Sequence, residues 1–433
     1  MQTPAVPVIV IPTPAVAVIV IPTTAVPAIV MPTIVVPTIV MPTIVVPTFR
    51  SAQRMLMKAE WFQRIGYFSL LAFVSALQFS IAAANVFLAL ALLMWLMQAI
   101  AARRIDVPRF FYPLAAYAAL TLVSAAFSDD PNASFIDSKQ LVLFLVVPMV
   151  YDMARGTKAP FVVQVIITVG ALSALYGIFQ FGVLQFDNLG RRPQGSLGHY
   201  MTYSGVLMLV TCAAAARILF TRERIWPSLM MPALLVILGL TFTRSALVGA
   251  CAGMAFLLLL KDLRLMAVMP LLAALFFVLA PPQVSNRFMS MFDSRDPTRV
   301  DRVTMLRVGA RMVKAHPLTG VGPTRVGPRY REFLDANEPD RVNPHLHNVP
   351  MQIAAERGLP ALAAWLCTIA ILVLDMVRRL KMPETRFLAA TALGCIVAMF
   401  AAGLAEYNFG DSEFLMLFLV FMTLPYAAKP EGV

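Results

Sequence analysis

The sequence predicts an all-α polytopic membrane protein, with about twelve transmembrane helices and one large helical loop between spans nine and ten. Three observations carry this reading. The 433 residues are 59% hydrophobic and only 13% charged, with a mean hydropathy of +0.77, whereas soluble domains carry about 25% charged residues. From Trp61 onward, apolar runs near the length needed to cross a bilayer recur between short charged loops. Lysine and arginine also alternate with those runs, as expected if they collect on the cytoplasmic side.

Residues 1–50 come first and differ from the rest. They are a low-complexity array with a unit near Met-Pro-Thr-Ile-Val-Val-Pro-Thr-Ile-Val and a period of ten. Each proline removes a backbone donor and clashes with the preceding turn, so the array predicts neither a helix nor a span. It has no basic leading region and does not read as a signal peptide. It is expected to be disordered.

The spans come next. The apolar runs lie at 65–81, 83–101, 110–127, 140–153, 160–182, 201–219, 226–242, 245–260 and 265–281, then at 359–377, 387–406 and 413–428. The first nine occupy residues 60–281 and the last three 359–428. The fourth is short, which implies tilt or a partly interfacial position. With the N-terminus in the cytoplasm, the inside loops hold Arg103-Arg104, Arg155 with Lys158, Arg222 with Arg224, Lys261 with Arg264, and Arg378-Arg379 with Lys381. The short outside loops hold Ser128-Asp129-Asp130 and Glu406 to Asp411. Both termini are then cytoplasmic. Cys212, Cys251, Cys367 and Cys395 lie far apart in apolar runs and read as free core residues.

The remaining segment, 282–358, is long enough to escape the charge rule. A helix is expected from Asp301 to Ala315, with Arg307, Arg311 and Lys314 on one face, and a second from Arg325 to Ala336. His316-Pro317-Leu318-Thr319-Gly320-Val321-Gly322 stops the first helix. The segment closes on Asn343-Pro344-His345-Leu346-His347-Asn348 and an amphipathic run to Arg357. Asn348 suits an N-cap, Pro350 a first turn and Gly358 a left-handed exit.

The chemistry-bearing groups gather on one side. All four histidines, His199, His316, His345 and His347, fall outside. So do Arg191-Arg192 in the loop after the fifth span, and Arg244 between two spans with almost no loop. Arginine at a membrane boundary either snorkels to head groups or grips phosphate oxygens with its planar fork. The basic face of the long loop is either solvated or meets anionic lipid head groups. His345-x-His347 offers no evident third ligand for a metal. The basic residues do not cluster with stacking aromatics, so a nucleic-acid partner is not expected. The spans hold little charge near mid-membrane, which argues against an ion-driven carrier. An enzyme acting on a lipid substrate at the outer interface remains.

At these residues the chain resembles the O-antigen ligase and polymerase superfamily of bacterial inner membranes. His347-Asn348, nine residues, then Gly358 is similar to its His-Asn-x9-Gly signature. The His316 to Gly322 turn is similar to its His-Pro-Leu-x-Gly-Val-Gly turn, and Thr243-Arg244-Ser245 to its Ser/Thr-Arg-Ser step. The likeness covers roughly 60–428, and Ala361 departs from it where glycine, threonine or tyrosine is usual. The resemblance implies a glycosyltransferase with an undecaprenyl-diphosphate-linked glycan as donor and lipid A-core as acceptor, working at the periplasmic face without metal or cofactor. His347 is then the general base, with His345 the runner-up. Arg191 or Arg192 and Arg244 would hold the diphosphate, with Arg307, Arg311 and His199 as further contacts. The alternatives are an O-antigen polymerase, a protein O-oligosaccharyltransferase and, from a different class, a lipid-linked glycan flippase or carrier.

Overall fold

The computed structural model describes residues 49–279, 282–289, 297–339 and 341–429. The repeat, residues 1–48, lies outside the described residues. The chain divides into two units, 1–51 and 52–433, and the second carries the helical body. Among its described residues the regular structure is entirely helical. In chain order the helices are α1 (Phe49–Ala76), α2 (Ile81–Ala102), α3 (Phe111–Ala126), α4 (Pro131–Ser138), α5 (Val146–Met153), α6 (Lys158–Gly182), α7 (Tyr200–Phe220), α8 (Ile225–Leu240) and α9 (Arg244–Lys261). They continue as α10 (Val268–Leu279), α11 (Pro282–Met289), α12 (Pro297–Ala315), α13 (Val326–Arg329), α14 (Val349–Arg379), α15 (Arg386–Gly403) and α16 (Ser412–Ala428).

Each of the twelve apolar runs overlaps helix. Seven helical elements are long and apolar enough to cross a membrane: α2, Pro131–Met153, α6, α7, α9, α14 and α15. Three shorter apolar helices, α3, α8 and α16, accompany them. The fourth run is longer than its apolar part. Asp130 accepts from the Ala133 N–H and Pro131 takes the first turn, so the helix starts in a polar stretch. A 3-10 segment, Lys139–Leu145, joins α4 to α5.

α7 is the hub, buried along almost its whole length, with α9, α15, α8 and α16 around it. α2, in contrast, exposes Val86, Leu90, Leu93 and Met97, as a lipid-facing helix must. Small residues set the closest approach. A Cβ on Gly249 or Gly253 of α9 would stand 2.7 Å from the Ala398 carbonyl oxygen or 2.9 Å from that of Gly394 on α15. Buried hydroxyls turn back on their own helices, as Thr211 does to the Leu207 carbonyl and Thr423 to that of Leu419.

The 297–348 segment has a small core of its own. Met305, Val308 and Met312 of α12 pack with Val321, Val326, Tyr330, Leu346 and Ala355. The second helix is shorter than expected: only Val326–Arg329 is α-helical before a 3-10 turn over Tyr330–Phe333. Gly358 breaks α14 instead of ending it, with φ 80° and ψ 170°, and the helix resumes at once. The His-Pro-Leu-Thr-Gly-Val-Gly turn lies along this break. The N–H groups of Val321, Gly322 and Leu359 donate to the carbonyls of Ala355, Glu356 and Pro317 at 2.8, 2.9 and 2.8 Å. A Cβ on Gly320 or Gly358 would overlap the opposing backbone.

Candidate active site

The histidine loop is built around Leu346. Its side chain is 1% exposed in the small core, and its N–H donates to the Gln352 side-chain oxygen at 2.6 Å. His345 and His347 flank this anchor and turn away from that core. Asn348 caps α14, accepting from the Met351 N–H at 3.0 Å, while its amide donates to the Leu404 carbonyl at 3.2 Å. His347 itself sits in the left-handed region, φ 47°, which its neighbours on both sides over-determine.

His347 Nδ1 lies 2.9 Å from Glu406 Oε1. A carboxylate only accepts, so the neutral ring carries its proton on Nδ1 and leaves Nε2 as the basic nitrogen. Burial alone would push the Glu406 carboxyl up. The hydrogen bond and charge of His347, with Arg302 nearby, outweigh burial and hold it below its ordinary value. His345 packs against the Tyr407 ring at 5.5 Å. Desolvation and then the neighbouring His347 pull His345 below the usual histidine range, against Glu406 and Asp137.

Glu406 also lines a cleft of about 370 Å³. Arg192, Arg244, Arg299 and Arg302 line the same cleft, so four arginines and one carboxylate share its wall. Three helices open on it through their N-terminal turns: Tyr200 and Met201 from α7, Arg244 and Ser245 from α9, Thr298 and Arg299 from α12. Those turns carry unpaired N–H groups and partial positive charge, which the arginines reinforce. A cation at the first position of a helix opposes the dipole. Arg244 at that position therefore does nothing for the stability of α9 through the dipole. The bulky Phe242 takes φ 55° to make the α8–α9 turn that presents Arg244. Val248, Val303 and Leu306 give the cleft an apolar wall beside its cationic one.

The structure separates residues the sequence left together. Arg192 lines the cleft, its guanidinium 4.2 Å from the centre of the Tyr200 ring and its Nε donating to the Leu189 carbonyl at 3.0 Å. Burial, and to a lesser degree the nearby Arg244, pull Arg192 below the usual guanidinium value. Arg191 instead covers Phe186 at 4.3 Å and is not part of the cleft lining. His199 stacks on Tyr200 at 5.0 Å, one ring removed from Arg192. Arg311 is held by the Phe333 carbonyl, Glu338 and Asp335, and Arg307 lies 3.8 Å from Glu338. These two arginines tie α12 to the 330–338 turn and do not line the cleft. His316 contacts Arg329 at 3.3 Å and packs edge-on to Phe333.

Three residues of this site escaped sequence reasoning. Glu406 sits in a short loop where an acid is ordinary. Arg299 and Arg302 precede the basic face that drew attention, and only the approach of the α12 N-terminus to α7 and α9 singles them out.

The fold and site define a class: an all-helical, multi-pass membrane protein with an arginine-lined cleft whose one carboxylate, Glu406, holds a histidine. Residues 229–366 match the model of the O-antigen ligase family, so this part of the chain is similar to that family. The matched stretch carries Arg244, Arg299, Arg302, His345 and His347, while Arg192 and Glu406 lie outside it. The match supports a ligase- or polymerase-type, glycosyltransferase-like enzyme of O-antigen assembly. No curated protein matches the chain.

Proposed function

We propose that this protein transfers a glycan from undecaprenyl diphosphate to a hydroxyl of lipid A-core oligosaccharide at the periplasmic face of the bacterial inner membrane. On this reading twelve helices span the membrane, both termini are cytoplasmic and 282–358 is periplasmic. The single observation that carries it is the cleft where four arginines meet the carboxylate that holds His347.

The diphosphate of the donor lies against Arg192 and Arg244, with Arg299 and Arg302 completing the cationic wall. The acceptor oxygen forms a bond to the anomeric carbon as the bond from that carbon to the phosphate oxygen breaks. The acceptor proton goes to His347 Nε2, and the electron pair of the broken bond stays on the lipid diphosphate. Guanidinium groups fixed at that oxygen stabilise the departing charge, a contribution of about 100-fold or more per donor. Glu406 holds Nδ1–H and so leaves Nε2 to take the acceptor proton. The apolar wall suits the first isoprene units of the lipid.

The test is reconstitution of the full chain in lipid nanodiscs with a lipid-diphosphate-linked glycan, offering lipid A-core, a second lipid-linked glycan and a hydroxyl-bearing protein as separate acceptors. Transfer to lipid A-core, lost by about 100-fold or more in His347→Ala, is the expected result. Transfer to the other acceptors alone makes the protein a polymerase or a protein glycosylating enzyme. Wild-type rates in His347→Ala remove the base.

A further inference from the structure

Arg192 reaches the arginine-lined cleft from residues 183–199, the long connection between α6 and α7. A connection of that length with no regular structure of its own would place a guanidinium loosely. A buried clamp removes that freedom. Gln180, in the last turn of α6, is 3% exposed and spends both ends of its amide on the connection. Its Oε1 accepts from the Gln194 and Gly195 N–H groups at 3.1 and 2.9 Å, and its Nε2 donates to the Gly195 carbonyl at 2.7 Å. Gly195 comes this close because it has no side chain. It takes φ 58°, and a Cβ there would stand 2.6 Å from the Tyr203 ring of α7. Tyr203 is held in turn, its hydroxyl donating to the Ser173 carbonyl of α6 at 2.6 Å, and the Ser196 hydroxyl donates to the Phe79 carbonyl at 2.6 Å.

Only Pro193 separates the clamp from Arg192. Its ring locks its own φ near about −65° and crowds the residue before it into the extended region. Once Gln194 is fixed, the backbone of Arg192 therefore follows with little slack. The side chain is steadied at two further points. Nε donates to the Leu189 carbonyl at 3.0 Å, and the guanidinium lies 4.2 Å from the centre of the Tyr200 ring. With Nε given to Leu189, the Nη groups are the donors for a phosphate oxygen. Gln180 does not itself line the cleft, so any influence it has there passes through this chain of contacts.

We propose that Gln180 is a positioning residue for the donor diphosphate: by clamping Gln194 and Gly195, and through the stiffness of Pro193, it sets where Arg192 stands before the donor arrives. This rests on the diphosphate reading of the cleft above and deepens it. An arginine placed in advance binds without the cost of ordering its loop, so loosening the clamp should cost donor affinity.

The experiment titrates inorganic pyrophosphate by calorimetry into the full chain in nanodiscs and measures donor and acceptor KM in the transfer assay. Gln180→Met keeps the length of the side chain and removes all three bonds. It should raise the pyrophosphate Kd and the donor KM about tenfold and leave the acceptor KM in place. Pro193→Ala touches none of the three bonds and only adds slack, and should raise the same two constants about threefold. A Gln180 that served stability alone would act to the same extent with or without Arg192. The deciding readout is therefore the cycle with Arg192→Ala, in which neither variant should have any further effect. Effects that add in the cycle overturn the proposal. So does a wild-type Kd in Gln180→Met or, where thermal melting shows that variant unfolded, in Pro193→Ala. Failure of the diphosphate reading registers differently. A wild-type chain that does not bind pyrophosphate, or an Arg192→Ala chain that binds it as well as wild type, takes the diphosphate out of the cleft and this proposal with it. Binding that depends on Arg192 and not on Gln180 removes the positioning role alone.

Discussion

At the scale of the residue, the site turns on how His347 is oriented. Glu406, in the wall of the arginine-lined cleft, answers this by accepting from Nδ1 at 2.9 Å. In Glu406→Gln the amide no longer fixes the Nδ1–H tautomer. The maximal rate should therefore fall about tenfold or more, and a wild-type rate would remove Glu406 from the machinery. Arg244→Lys should also lower transfer by about tenfold or more, since a point charge does not reproduce a bidentate fork. An unchanged rate would assign Arg244 to head groups. Proton linkage gives a further check. His345 is depressed below the ordinary 6.5 and Glu406 below 4.5. The unfolded chain takes up protons at both before the folded one does. The folded state should therefore lose stability through His345 as pH drops below about 6.5, through Glu406 and Glu338 below about 4.5, and through Asp129 below about 3.8. Thermal melting of the wild type beside His345→Gln isolates the first of these, and a difference between the two that stays constant from about pH 7 to about pH 5 contradicts it.

At the scale of the element, the histidine loop depends on one apolar anchor and one broken helix. Leu346 is buried between the two histidines, so Leu346→Ala should cost about 3 kcal/mol and loosen both rings together. Gly358 has a sharper requirement. Its φ of 80° and the Leu318 carbonyl against it leave no room for a side chain. Gly358→Ala should displace the 316–322 turn from α14, seen as faster hydrogen exchange at Val321, Gly322 and Leu359, whose N–H groups cross that contact. Unchanged protection there would show that the turn docks without the glycine. The glycine-rich motif is thus a packing device: it lets two backbones touch so that the loop above them is held.

At the scale of the whole molecule, the 297–358 segment is tied to the rest of the helical body at several points. Arg325 grips Asp129 through Nε and Nη2, both at 2.8 Å, and Ser134 donates to the Pro323 carbonyl at 3.0 Å. Ser124 of α3 donates to the Glu356 carbonyl at 2.8 Å. The ion pair is partly exposed, so a double-mutant cycle of Arg325→Ala and Asp129→Ala should give a coupling of only about 1 kcal/mol, screened by salt. A coupling near zero at low salt would mean that the backbone contacts alone dock the segment. The docking matters because the cleft is shared: α7 and α9 come from the body, α12 from the segment.

Much of the fold was legible in the sequence. Hydropathy located the apolar runs, because a helix in lipid must satisfy its backbone internally and so declares itself as a long apolar stretch. The cap at Asn348 was legible too, being local backbone chemistry, whereas Gly358 reads as a helix end and the helix in fact resumes past it. Polar helix starts were not legible. Pro131–Lys139 reads as loop by composition, and the helix that periodicity extended to Ala336 stops at Arg329. The choice of Arg192 over Arg191 for the cleft, the entry of Arg299 and Arg302, the turning of Arg311 to a structural task and the pairing of His347 with Glu406 all required the fold. The sequence by itself determined which elements form and which residue types are available, since those depend on short-range periodicity and solvent preference. Only the tertiary structure decided which of those residues meet, because the meeting joins α7, α9, α12 and the 404–411 turn. Contacts between segments so distant in the chain leave no trace in local pattern.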